Sequence, residues 1–300
     1  MVKTIGCAGK SILIVLLCIL CFADVICLAD VLQTLKQAET NAISLIDSGD
    51  CTSAQLAVSK MKADFAGNKD LPGNLCNIAY SSEQQNQRDF ARKLYQDISQ
   101  NYSKIDPYRS STAAMYTAII DVNICKLVDM GDKAAIQAAI THLKSEFAST
   151  HEPYYVMYSL AKVLYREALA ISADGQYDAR AKDYLKQAIA IYENEVIGKT
   201  NRADIESEAY RVSARSYDIL GDYAKSVEYY QQSVDKHPED PLSWHAQFMV
   251  GYTYEKMLKA GLISESEANP LIRTAYTNLL KNYPNCKAVK IAQKWLKKHN

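Results

Sequence analysis

The sequence predicts an all-α protein, an α-solenoid of about six stacked helical hairpins closed by a C-terminal capping helix. Three observations lead there. Gly (11) and Pro (7) are scarce among the 300 residues, too few for a fold built from many tight turns. Segment ends recur at Phe65, Tyr102, Phe147, Tyr192, His237 and Tyr283, at spacings of 37, 45, 45, 45 and 46 residues. Each end is preceded by the same stripe of small and apolar residues, and no run alternates as a strand would.

The stripe defines the second helix of each hairpin. Eleven residues before the ends stand Ala54, Ala91, Ile136, Ala181, Ser226 and Ile272. Seven before stand Val58, Tyr95, Ile140, Leu185, Tyr230 and Tyr276; four before stand Met61, Ile98, Leu143, Ala188, Ser233 and Leu279. Offsets of 11, 7, 4 and 0 share one face of a helix. Small residues at the first position let a neighbouring helix come close. Pro238 and Pro284 follow two of the ends, as terminators should.

The first helices are the apolar stretches Tyr108 to Val128, Tyr154 to Ala170, Glu206 to Leu220 and Leu242 to Leu258. Short turns join the two members of a hairpin at Gly131-Asp132, Ala173-Asp174-Gly175 and Gly221-Asp222; Gly49-Asp50 matches them upstream. A lone hairpin cannot cover its apolar face, so neighbours must stack. The last piece, Lys287 to Lys298, carries Ala288, Ile291, Ala292, Trp295 and Leu296 on one side and lysines around the rest, as a capping helix should. Tyrosine is in excess, 21 against 5 Phe and 2 Trp. Tyr95, Tyr192, Tyr210, Tyr217, Tyr230, Tyr276 and Tyr283 fall on the stripes, where the ring can pack and the hydroxyl reach water.

The N-terminus reads as an address. Lys3 and Lys10 precede a 12-residue apolar run, Ser11 to Phe22, short for a membrane span and suited to a signal-peptide core. Cys27-Leu28-Ala29 sets up cleavage before Asp30, and Cys21-Phe22-Ala23 offers a second site; the alternative is an uncleaved anchor that tethers the chain to a membrane. Leu17, Leu20 and Ile26 precede the three candidate cysteines where a lipobox wants a small residue. The chain therefore divides into a signal peptide (1–29), divergent helical repeats (30–202) and more regular repeats with a capping helix (203–300). Cleavage leaves 32 basic and 33 acidic residues, and no membrane insertion is expected thereafter. With pI near 6.9, net charge offers nothing to nucleic acid. Four cysteines remain, Cys51, Cys76, Cys125 and Cys286. They read as small hydrophobes, or as Cys51–Cys76 or Cys76–Cys125 if a bridge forms.

The fifth hairpin, AYRVSARSYDILGDYAKSVEYYQQSVDKHPED from Ala209 to Asp240, resembles a tetratricopeptide repeat. Tyr210, Ala214, Tyr217, Gly221, Tyr223, Tyr230 and Pro238 occupy that family's signature positions, with Ser226 and Ser233 in place of two alanines. The sixth unit, WHAQFMVGYTYEKM followed by AYTNLLKNYPNCKAVKIAQKWL, resembles variants found in bacterial envelope proteins, including outer-membrane assembly and periplasmic coordination factors. The resemblance covers residues 203–298; upstream only the second helices align, and the period lengthens from about 34 to about 45 residues.

The resemblance implies a concave groove lined by the first helices. It places Glu208, Arg211, Arg215 and Asp218 there; Arg166 lies 45 residues before Arg211, and Phe248 and Tyr252 take the equivalent face of the sixth unit. Arginines and aromatics are the residues that dominate interfaces, and Arg can clamp a carboxylate. No GxSxG, GxxxxGKS/T or GxGxxG occurs, and His151-Glu152 lacks the second His of HExxH because Tyr155 stands there. The expectation is an exported scaffold that binds a protein or peptide partner, with no enzyme activity, no metal and no cofactor. The runner-up is an accessory module of a cell-envelope enzyme or export machine presenting polysaccharide or peptidoglycan. That reading expects Phe248 and Tyr252 to be exposed together as a coplanar platform.

Overall fold

The computed structural model describes residues 34–85, 87–172 and 175–299. The expected signal peptide (1–29) and residues 173–174 of the expected Ala173-Asp174-Gly175 turn lie outside the described residues. Everything described is helix, turn or irregular connection, with no β-strand among the described residues. The chain divides into two compact units at Thr117/Ala118.

The first unit holds α1 (residues 34–47), α2 (Cys51–Asp64), α3 (Leu71–Gln84), α4 (Arg88–Asn101) and the start of α5 (Pro107–Val122). Leu35, Ala42 and Ile46 of α1 are buried with Ala54, Val58 and Met61 of α2. Glu39, 2% exposed, takes hydrogen bonds from the Asn74 and Asn77 amides and from Lys36, tying α1 to α3. Lys62 reaches Asp97 at 2.7 Å, joining α2 to α4. Tyr95 stacks on Tyr116 at 5.1 Å, and Ser110 donates to the Ile98 carbonyl at 3.1 Å, seating α5 on α4.

The second unit continues through α6 (Ile124–Asp129), α7 (Lys133–Glu146), α8 (Pro153–Ala170), α9 (Ala179–Ile191), α10 (Ala203–Leu220), α11 (Tyr223–Lys236), α12 (Ser243–Lys259), α13 (Glu265–Asn282) and α14 (Val289–Lys298). Helices pack chiefly on their chain neighbours: α8 on α9, α10 on α11, α11 on α12, α12 on α13, α13 on α14. Within each unit the hairpins thus stack serially, as a solenoid-like helical repeat does.

The expected stripe is the core of both units. Every residue named at offsets 11, 7 and 4 is buried, from Ala54 to Leu279. The six segment ends are the C-cap residues of α2, α4, α7, α9, α11 and α13. Tyr102, Phe147 and Tyr192 are buried, while Phe65, His237 and Tyr283 are half-buried.

The Gly-Asp turns have one geometry. Gly49, Gly131 and Gly221 have φ of 82°, 64° and 83°, where a side chain is strained. The following Asp N–H returns to the carbonyl five residues back (Leu45, Leu127, Tyr217), closing the first helix. The same Asp then accepts from the N–H three residues on, at 3.0 Å (Ser53), 2.9 Å (Ala135) and 3.2 Å (Lys225), opening the second. One dipeptide both ends and starts a helix.

Four expectations are corrected. The stretch Tyr108 to Val128 is two helices, because Asn123 adopts φ 47° and breaks the backbone ladder between α5 and α6. Tyr192 caps α9 but does not end the helical backbone: a π-helical turn, Tyr192–Val196, follows and returns Val196 to the core. Ile291 of the capping helix is 55% exposed, so only Ala288 and Ala292 are buried there, with Trp295 and Leu296 half-buried. Cys51, Cys76, Cys125 and Cys286 all stand as thiols; neither Cys51–Cys76 nor Cys76–Cys125 is bridged, and only Cys125 is buried.

Gly251 of α12 lies against the Tyr276 ring of α13, where an added Cβ would come within 2.5 Å of the ring. Alanine would gain about 1 kcal/mol in helix propensity. The clash with a buried ring costs about 1–3 kcal/mol and outweighs it. Gly251→Ala is therefore expected to lower the melting temperature; an unchanged or raised melt would show that α12 and α13 do not pack this closely.

Candidate functional site

The residues proposed for a groove lie on the first helices of three successive hairpins, α8, α10 and α12. Glu208, Arg211, Arg215 and Asp218 follow one another at helical spacings of three and four, so α10 offers them on one face. The structure brings them together but ties most of them to neighbouring repeats.

Glu208 receives Lys162 of α8 at 2.9 Å and the Tyr158 hydroxyl. Arg211 pairs with Asp240, in the turn before α12, at 2.8 Å, and also donates to Ser207; the Arg211 and Asp240 side chains are only 12% and 11% exposed. Asp218 accepts from Lys256 of α12 at 2.6 Å. These three residues, expected to face a partner, are instead rungs that couple α10 to α8 and α12. The reason is stagger. A charge in the middle of one first helix lies within a side chain's reach of the next first helix, and half-burial favours pairing over solvation.

Arg215 differs. It is exposed, and its charge partly offsets the rise that burial gives the half-buried Tyr165 hydroxyl of α8. Arg166 of α8 is half-buried. Tyr252 is 41% exposed, whereas Phe248 is half-buried in the cluster around Ile272 and Tyr276. Phe248 stacks on both Tyr252 (5.9 Å, 15°) and Tyr276 (5.8 Å, 19°). The two rings expected to form a platform are thus offset and parallel, one on the other, with Tyr252 the exposed member.

His245 of α12 belongs to this face and was missed in the sequence, where it forms no paired motif. Burial, then the charges of Arg211 and Arg215, hold its pKa below the usual histidine value. Glu193 and Glu195, on the π-helical turn, were missed for a different reason: their orientation depends on the extra residue per turn. Glu193 accepts from the Tyr217 hydroxyl at 2.6 Å and from the Tyr229 hydroxyl, while Glu195 holds Lys144 at 2.8 Å. One turn thereby clasps the repeat before it and the repeat after it.

No three or more of His, Cys, Asp and Glu group as metal ligands among the described residues. No described helix is long and apolar enough to cross a membrane. Compared with known proteins, the chain matches no family model and no curated protein.

Burial raises the Glu208 pKa, but Lys162, the Tyr158 hydroxyl and Arg211 outweigh it, and the carboxyl sits below its ordinary value. Ionised Glu208 therefore stabilises the fold fully above the unfolded carboxylate pKa, and the contribution fades as pH falls through the lower folded-state value. Glu208→Gln is expected to cost about 1 kcal/mol near neutral pH, solvent screening included, and to lose less as the solution is acidified below pH ~4. Parallel acid-unfolding curves for wild type and variant would contradict the Glu208–Lys162 coupling.

Proposed function

We propose that the chain is an exported interaction scaffold, and that the α8–α10–α12 face receives a protein or peptide partner without covalent chemistry. The observation that carries this reading is Arg215. It is an exposed guanidinium at the middle of a face otherwise held in place by ion pairs, close enough to Tyr165 to act on its hydroxyl. The rungs Glu208–Lys162, Arg211–Asp240 and Asp218–Lys256 keep the face rigid, which lowers the ordering cost of binding. A guanidinium with donors left over suits a carboxylate, so a chain terminus or an acidic side chain of the partner is the matching group. The likeness of residues 203–298 to tetratricopeptide repeats supports a binding role, and the Lys3–Ala29 pattern supports export. In this reading Arg211, Glu208 and Asp218 position the face rather than touch the partner.

Arg215→Glu is expected to leave the folding stability within about 0.5 kcal/mol of wild type, since the residue is exposed. It should abolish recovery of the partner after crosslinking in intact cells. Equal recovery by wild type and variant removes this face from the reading. Export is checked separately by N-terminal sequencing: a mature chain beginning at Asp30 or Asp24 supports it, and a cytoplasmic chain starting at Met1 refutes it.

A further inference from the structure

A cleft of about 1000 Å³ opens between α12, α13 and α14, at the C-terminal end of the second unit. Its apolar floor includes Tyr252, Leu258, Ile291 and Trp295. Its rim carries Lys256, Lys259, Lys294 and Lys298. Ile291, Lys294, Trp295 and Lys298 follow at one-turn spacings, so α14 has a second face beside the one that buries Ala288 and Ala292. The exposure of Ile291, 55%, belongs to that second face.

The charges in the cleft are unbalanced. Four lysines face two carboxylates, Glu255 and Glu265, which accept from the neutral Tyr276 hydroxyl and Asn269 amide and keep their charge. Of the four ammonium groups, only Lys256 has a described carboxylate, Asp218. Lys294 and Lys298 stand four apart on one helix, a spacing at which like charges repel unless an anion lies between them. An apolar floor with more lysines than carboxylates around it, Lys294 and Lys298 being without an ion pair among the described residues, matches a segment with an apolar side chain among acidic residues. A glycan fits less well. Trp295 stacks on His299 at 4.2 Å and meets Tyr276 edge-on at 5.7 Å, and Tyr252 stacks on Phe248 at 5.9 Å with the Lys256 ammonium 5.3 Å from its ring, so the most exposed apolar side chain in the cleft beside them is the aliphatic Ile291.

We propose that this cleft is a second binding site, separate from the Arg215 face, that takes an acidic peptide segment through an aliphatic or aromatic anchor seated on Ile291 and Trp295, with Lys294 and Lys298 on its carboxylates.

The test is fluorescence anisotropy of the full chain with the fluorescein-labelled peptide DEDLEEWLDE. Comparison peptides carry Lys for every acidic residue, or Ser for Leu and Trp. The acidic peptide should bind, with affinity falling several-fold between about 50 and 300 mM NaCl as screening sets in. Ile291→Asp, and Lys294→Glu with Lys298→Glu, should each weaken binding about tenfold or more. Lys290→Glu with Lys297→Glu, which changes charge equally on the outer side of α14, should not. Melting curves check that each variant is folded. Absence of binding overturns the proposal, as do equal loss with the outer pair and undiminished binding of the Ser peptide. Light scattering that shows a dimer dissolved by Ile291→Asp would assign the cleft to a second copy instead. Stronger retention on phosphatidylserine vesicles than on the peptide, through the same lysines, would assign it to a membrane surface. Either result sinks the peptide.

Discussion

The governing constraint is that no hairpin here can bury its own apolar stripe. Each second helix carries residues at offsets 11, 7 and 4 from its C-cap, and a fully buried large side chain at such a position contributes about 1.5–3 kcal/mol only when a neighbour covers it. In each unit that cover is the adjacent hairpin. The small members of the stripe, Ala54, Ala91, Ala181 and Ser226, let the next helix approach; the large ones, Tyr95, Leu185, Tyr230 and Tyr276, fill what remains. Serial stacking follows, and so do the Gly-Asp turns, whose geometry sets the two helices of a hairpin antiparallel within the fewest residues.

Tyrosine solves a problem that stacking creates. A core only two helices thick leaves the far end of a large side chain near the surface. Phe would expose its edge, while Tyr places a hydroxyl there and uses it. Tyr184 donates to Asp129 at 2.7 Å, Tyr217 and Tyr229 to Glu193, Tyr276 to Glu255, and Tyr95 to Glu83 at 3.3 Å. Each bond runs from a core ring to a carboxylate on another helix, so the same residue packs and pins. Lysines lie over several of these rings, as Lys225 does over Tyr217 and Lys236 over Tyr210, each at 4.8 Å. The excess of tyrosine is thus largely structural; Tyr80, Tyr108 and Tyr252 are exposed, and of these Tyr252 lies where the two candidate sites approach each other.

Polar residues on the first helices divide by what lies opposite them. Where a neighbouring repeat presents the opposite charge, the pair closes and stiffens the stack, as with Arg211 and Asp240. Where no described residue does, the charge stays exposed, as with Arg215 on α10 or Lys294 and Lys298 on α14. In the proposed binding role, the closed pairs hold the exposed charges in a fixed geometry.

The sequence alone determined the helical class, the hairpin register and the buried stripe, because these rest on local periodicity and on turn chemistry that a few residues carry: Gly221 for the positive φ, Asp222 for the cap, Ala181 for close approach. Residues 210–230 read almost in full. What the tertiary structure decided is which charges are spent. A string of letters shows Glu208, Arg211 and Asp218 on one face of α10, but not that Lys162, Asp240 and Lys256 stand within 3 Å of them, since that depends on the stagger between helices more than twenty residues apart. The break at Asn123 and the π-helical turn at Tyr192 were illegible for the same reason: each is a departure from the repeat that local propensity does not demand and that packing against neighbours imposes. The cleft beside α14 is likewise tertiary: Ile291 sits on the predicted apolar side of that helix, yet packing buries Ala288 and Ala292 and leaves Ile291 exposed.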